Sequence, residues 1–141
     1  YKRIVATVQL VAPFIDDFLL EPRRMGEDEM VRLEWLQRGS DYPFQPYQLS
    51  DGTLRFICLA TALMQPDPPP IVIIDEPELG LHPQALNLFA GLVRQASVDS
   101  QIIVSTQSPA LVSQFEPDDI VVARRVDGAS TFDRLDRERL S

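Results

Sequence analysis

Three short strings set polar or acidic residues directly against apolar ones in arrangements that can handle a phosphate. The first is Ile71-Val72-Ile73-Ile74-Asp75-Glu76-Pro77. Four β-favouring residues followed at once by two carboxylates put both acids at the C-terminal end of a strand, the edge at which open α/β sheets bind ligands. An aspartate there can hold Mg²⁺, usually through water, and a neighbouring glutamate can orient and deprotonate a water that attacks a γ-phosphate. A solvated acidic turn after a strand would carry the same letters. The second string is Leu49-Ser50-Asp51-Gly52-Thr53-Leu54-Arg55, immediately ahead of an apolar helix. A serine and a glycine at a helix N-terminus offer a hydroxyl, backbone N–H groups and the positive end of the helix dipole, which together suit an anion. A plain cap, with Ser50 or Asp51 at the N-cap, uses the same residues. The third string, Ile102-Ile103-Val104-Ser105-Thr106-Gln107-Ser108-Pro109, ends a second apolar stretch in polar side chains. A side chain at that end can sense a phosphate bound near the first strand; an ordinary strand-to-helix turn capped by Ser108 is the competing use.

The elements that must position these strings follow from apolar spacing. Ile4, Val8, Val11 and Ile15 recur at helical spacing and predict an amphipathic helix up to about Pro13. Glu21 to Glu29 is charged, contains Pro22 and Gly26, and reads as a loop; Val31, Leu33 and Trp35 then alternate as a strand. Gly39 to Pro46 reads as loop, because Pro43 and Pro46 oppose regular structure. Thr53 to Met64 is apolar over much of a helix circumference and so predicts a well-buried helix. Gln65 to Pro70 is a stiff proline-rich connector. The run Ile71–Ile74 predicts a strand buried on both faces, as in the middle of a parallel sheet. Pro83 to Ala96 is a second helix with Leu86, Phe89, Ala90 and Val93 as its inner stripe. Ile102–Val104 is a strand, Pro109 to Phe115 a short helix, Ile120 to Arg125 a strand, and Asp127-Gly128 a hairpin turn into Thr131-Phe132. This order predicts an α/β fold, a mainly parallel sheet flanked by helices.

Composition bounds the function classes. A chain of 141 residues, 45% hydrophobic and 24% charged, suits one globular domain or a piece of one. It has no apolar run of membrane-spanning length and no signal-peptide layout, so no membrane partner is expected. A net charge of −8, from 13 basic and 21 acidic residues, argues against these residues forming a broad nucleic-acid platform. The pairs Arg23-Arg24 and Arg124-Arg125 read as solvated surface. The single cysteine, Cys58, has no internal disulfide partner and reads as a buried thiol in a cytoplasmic protein.

Taken in order, the strings resemble an ABC-type ATPase domain from its signature motif onward. Leu49-Ser50-Asp51-Gly52-Thr53 resembles the Leu-Ser-Gly-Gly-Gln signature, with Asp51 in place of the first glycine and Thr53 in place of the glutamine. Ile71 to Glu76 resembles Walker B followed by the catalytic glutamate, and Pro77-Glu78-Leu79-Gly80-Leu81-His82-Pro83 resembles the D-loop. The Asp-Glu-Pro-Glu-x-Gly-Leu-His-Pro form is that of ATPases grouped with SMC, RecF and overcoming-lysogenization-defect proteins. The resemblance implies that residues 1–141 are the C-terminal part of one P-loop NTPase domain: signature-like loop 49–55, Walker B 71–76, D-loop 77–83 and switch 105–109. It implies ATP and Mg²⁺ as cofactors and a nucleotide-dependent homodimer. Asp75 would hold the metal, Glu76 would be general base, and Gln107, where the family usually has histidine, would sense the γ-phosphate. Ser50 and Gly52 would reach the γ-phosphate of ATP on the partner subunit, and Gly80 and His82 would lie at the dimer-facing D-loop. No Gly-x-x-x-x-Gly-Lys-Ser/Thr string occurs and the chain's only lysine is Lys2, so the Walker A cradle is absent and the chain alone should be inactive. A degenerate, non-catalytic ATPase half serving as an interaction or dimerisation module, or an ATPase subunit regulating a partner nuclease, are the alternatives; a DNA or nuclease partner would engage segments outside this chain.

Overall fold

The computed structural model describes residues 1–25 and 28–135. Helix α1 (Lys2–Gln9) buries Val5 and Val8 and ends where the Val11 and Ala12 N–H groups turn back to the Val8 carbonyl. Pro13 resets the backbone, so Ile15 opens a strand instead of extending the helical stripe. That strand, β1 (Ile15–Leu19), is followed along the chain by β2 (Pro22–Met25), β3 (Asp28–Val31), β4 (Glu34–Gln37) and β5 (Pro43–Phe44), all paired antiparallel. β1, β4 and β5 form one three-stranded sheet, while β2 and β3 pair with each other. Trp35 fixes the short β5 by stacking on Phe44 at 4.7 Å and donating its indole N–H to the Gln45 carbonyl at 3.1 Å.

Several expectations are corrected here. Pro22 to Val31 is a strand pair, not a loop; Gly26 lies outside the described residues. Pro22 tolerates its place because it opens a strand, where the lost donor is least costly. The strand expected from Val31 to Leu36 is broken between β3 and β4, and β5 interrupts the expected loop at Gly39 to Pro46. Arg23 is not simply solvated. Its guanidinium meets Glu34 Oε2 at 2.9 Å, while Gln45 Nε2 donates to Glu34 Oε1 at 2.9 Å, so the buried Glu34 carboxylate is paired on both oxygens.

The second part of the chain is built on helices. α2 (Asp51–Leu63) buries Phe56, Ile57, Ala60 and Leu63, and α3 (Pro83–Ala96) buries Ala85, Leu86, Phe89, Ala90, Leu92 and Val93. Both helices are one-sided. Cys58, two residues past Phe56, faces away from the packed side and is exposed, contrary to the expected buried thiol. β6 (Ile71–Asp75) and β7 (Gln101–Ser105) pair in parallel with Ile71 opposite Gln101 and Asp75 opposite Ser105. This is the only parallel pairing among the described residues, so the sheets are mixed and not mainly parallel. Nor is β6 buried on both faces. Ile74, Ile102 and Val104 pack against the core, whereas Ile71, Ile73 and Ile103 on the other face are exposed, Ile73 by 72%.

After β7 come α4 (Pro109–Val112), which buries Leu111, and a hairpin of β8 (Val121–Val126) and β9 (Ala129–Arg134). Asp127 and Gly128 both have positive φ, 50° and 84°, the backbone that a tight two-residue hairpin turn requires. Val8, Phe56, Ala60, Phe89 and Leu111 share one core, so α1, α2, α3 and α4 converge behind the parallel pair. No helix among the described residues is long and apolar enough to cross a membrane.

Candidate functional site

The candidate site lies at the C-terminal ends of β6 and β7. Parallel register places Asp75 directly beside Ser105, and the Ser105 hydroxyl donates to Asp75 Oδ1 at 2.5 Å. The next residue, Glu76, leaves the strand with φ at +43°, a conformation that costs a non-glycine residue about 1–3 kcal/mol. Both of its peptide groups are held: its N–H donates to the Ser105 carbonyl at 2.9 Å, and its carbonyl accepts from Arg55 at 3.1 Å. Its side chain meets the segment after β7, with Gln107 Nε2 donating to Glu76 Oε1 at 3.4 Å. Pro77, fully buried, anchors the turn that follows. Asp75, Glu76 and Gln107 are thus brought together.

The segment after Glu76 is tied to the end of β7 as well. Thr106 Oγ1 donates to Glu78 Oε1 at 2.5 Å and accepts the Ser108 N–H at 3.0 Å. Ser108 also caps α4, accepting from the Leu111 N–H at 3.4 Å, so the capping use foreseen for it is the one seen.

The signature-like loop reaches the site through backbone. Ser50 is the N-cap of α2: its hydroxyl accepts the Thr53 N–H at 3.2 Å and lies 2.9 Å from Thr53 Oγ1. Its hydrogen bonds stay within its own turn, and it is not drawn to Asp75 or Glu76. Gly52 instead packs on Gly80. A Cβ added to Gly52 would stand 2.1 Å from the Gly80 carbonyl oxygen, a distance no side-chain carbon tolerates. Gly80 has φ at +76°, so both glycines are required, one by close approach and one by conformation. His82 caps α3 by accepting the Gln84 N–H on Nδ1 at 3.3 Å, which gives it a structural task. Arg55, Glu78 and Thr106 were quoted in the motif strings without a role. Their spacing carries no sign of the contacts, because Arg55 reaches Glu76 across 21 residues and Glu78 meets Thr106 across 28.

The comparisons with known proteins follow this geometry. Residues 3–113 match the family described as "AAA domain, putative AbiEii toxin, Type IV TA system". The chain belongs to this family. No curated protein sequence matches this AAA-domain chain. Among solved structures it is similar to an SMC head bound to the C-winged helix domain of ScpA, with a TM-score of 0.76 and 21% identity over 99% of this chain and 43% of that one. It is also similar to the SMC head from Pyrococcus furiosus bound to the C-terminal domain of ScpA, with a TM-score of 0.73 and 22% identity over 99% of this chain and 35% of that one. A third, from work on ATP-driven dimerization and DNA-stimulated activation of SMC ATPases, aligns with a TM-score of 0.67 and 20% identity over 99% of this chain and 84% of that one. The AAA-domain chain therefore has the α/β ATPase fold of SMC heads and spans less than half the length of the first of them.

The residues at the strand ends suit a hard cation. Among the described residues no three His, Cys, Asp or Glu side chains converge into a metal cage. Mg²⁺ needs none, since it is commonly bound by one or two carboxylates with waters and phosphate oxygens, and the exposed Asp75 carboxylate is such a donor.

Proposed function

We propose that residues 1–141 form the C-terminal part of an ATPase domain, and that the complete domain binds ATP with Mg²⁺ and hydrolyses it at a composite site between two copies. The observation that carries this proposal is the open face of the parallel pair. Ile71, Ile73 and Asp75 of β6 and Ile103 and Ser105 of β7 all project from the same exposed side. An apolar stripe of this kind leads straight to the carboxylate, so a segment that covers the isoleucines is brought beside Asp75. The Walker A cradle, placed upstream of Tyr1, is the segment proposed to do so. Burial of three isoleucine side chains would contribute several kcal/mol, about 1.5–3 kcal/mol each.

The chain's own residues would then act as follows. Asp75, oriented by the Ser105 hydroxyl, presents a carboxylate to the cation, which neutralises charge on the phosphates when bound. Glu76 takes the proton of the attacking water, its carboxylate placed by the strained turn beside Gln107. Gln107, unable to become cationic, offers an amide N–H to the γ-phosphate or the water. Ser50 and Gly52, at the positive end of α2, receive the γ-phosphate held by the second copy. The dimer proposal is supported by the ATP-driven dimerization reported for SMC ATPases of this fold. A cytoplasmic protein fits this chemistry, and a DNA or nuclease partner would engage segments outside these residues.

The experiment is Glu76→Gln in the full-length protein. Turnover should fall by about 10²–10⁴-fold, the range for a lost general base, with an ATP-bound dimer persisting on size-exclusion chromatography. Unchanged hydrolysis would reject Glu76 as the base. The 141-residue chain by itself should show no ATPase activity, and robust turnover by it would reject an upstream cradle.

A further inference from the structure

We propose that Glu78 and Thr106 act as one positioning pair that holds the switch residue Gln107 in place, a role that rests on the hydrolysis proposed above. Glu78 stands two residues beyond Glu76, separated from it by the fully buried Pro77, so its backbone has little freedom to move independently of the β6 end. From there its Oε1 receives the Thr106 hydroxyl at 2.5 Å, within the range of a charge-assisted O–H···O bond. That bond consumes the single proton of the Thr106 hydroxyl and leaves its lone pairs for the Ser108 N–H at 3.0 Å. The residues on both sides of Gln107 are therefore fixed by one carboxylate. Gln107 is exposed and its contact to Glu76, at 3.4 Å, is too long to hold it unaided.

The other carboxylate oxygen, Glu78 Oε2, is buried and has no hydrogen-bond partner among the described residues. Burying such an oxygen is unfavourable by about 1–3 kcal/mol or more, and a solvated turn has no reason to do it. The arrangement is intelligible when the carboxylate is kept to fix the switch. Position along the chain also matters: the pair joins the segment that follows Glu76 to the segment that carries Gln107, 28 residues apart. A shift of the water-sensing amide by about 1 Å is enough to slow a reaction by about 100-fold.

The test uses the full-length protein and steady-state ATP hydrolysis. Thr106→Val keeps the shape and removes the hydroxyl; kcat should fall by about 10- to 100-fold with the KM for ATP within about twofold, since Gln107 acts on the attacking water more than on ground-state binding. Thr106→Ser should restore most of the rate. In a Gln107→Ala background, Thr106→Val should cause no further loss, because the pair acts through Gln107. Equal kcat in wild type and Thr106→Val would overturn the pairing. So would a Thr106→Val loss that persists undiminished in the Gln107→Ala background, which would assign Thr106 a structural role alone. Glu78→Gln retains an oxygen acceptor and guards against misfolding: it should keep more activity than Glu78→Ala, and equal losses would also count against the pair. Wild-type protein that does not hydrolyse ATP, or a Glu76→Gln variant that still does, would instead sink the hydrolytic proposal itself.

Discussion

The isoleucines on the two faces of β6 and β7 meet opposite fates. On the inner face Ile74, Ile102 and Val104 rest on a core that includes Phe56, Phe89 and Leu111. On the outer face Ile71, Ile73 and Ile103 are 52%, 72% and 46% exposed, and the stripe ends at Asp75 and Ser105. Isoleucine is equally apolar on either side, so the difference lies in what is available to pack against it. The comparison teaches that the inner face belongs to the stability of this chain, while the outer face is an exposed apolar stripe that ends at the candidate site. Exposed apolar stripes of this kind on otherwise ordinary domains mark contact surfaces.

Three changes would break or sharpen that contrast. The largest effect is expected from Phe89→Ala, at a fully buried position of α3 behind the inner face: the unfolding free energy should drop by about 3–5 kcal/mol in urea titration of this chain. A drop below about 1 kcal/mol would mean that the inner face is not the core. Ile73→Ala comes next and is diagnostic by its dependence on length. In the 141-residue chain it should change stability by no more than about 0.5 kcal/mol. In the full-length protein it should cost about 2–5 kcal/mol, because the proposed upstream segment would cover the side chain there. Equal, small effects in both would leave the outer face open in the whole protein and remove the support for an upstream covering segment. The smallest is Gly52→Ala. The new methyl meets the Gly80 carbonyl oxygen at 2.1 Å, so the α2 terminus must shift at a cost of about 1–3 kcal/mol. Thermal unfolding of this chain would measure it, and an unchanged midpoint would show that the glycine contact does not hold α2 against the loop after β6.

Much of the local structure was legible in the sequence. Pro83 at the first turn of α3 and the stripe Leu86, Phe89, Ala90 and Val93 give that helix its start and its buried face. Asp127-Gly128 gives the β8–β9 turn, since few other pairs adopt two positive φ angles cheaply. The antiparallel region was less legible. The described side chains of β2 and β3 are exposed throughout, so no alternation of apolar residues announces them. Cys58 was misplaced for a related reason: α2 is apolar on more than its packed side, and periodicity alone does not choose which apolar residues are covered. At the candidate site the acidic pair Asp75-Glu76 stands out in sequence because it ends an apolar run, and Gln107 because it occupies the histidine position of the family resemblance. Arg55, Glu78 and Thr106 do not.

Sequence by itself determined the elements around the site and their order. Apolar periodicity, proline placement and the motif strings that carry the family resemblance are all local properties, encoded within a few residues of one another. Only the tertiary structure decided which peptide groups and side chains meet at the ends of β6 and β7. Asp75 faces Ser105 because the parallel register is in step, Gly52 meets Gly80 because a Cβ would not fit, and Glu78 reaches Thr106 across 28 residues. Such contacts depend on long-range packing that brings distant residues within a few ångströms, and no spacing rule along one chain contains that information. The open face leading to Asp75 belongs to the same class: its residues were evident as isoleucines, and their exposure became evident only from the packing around them.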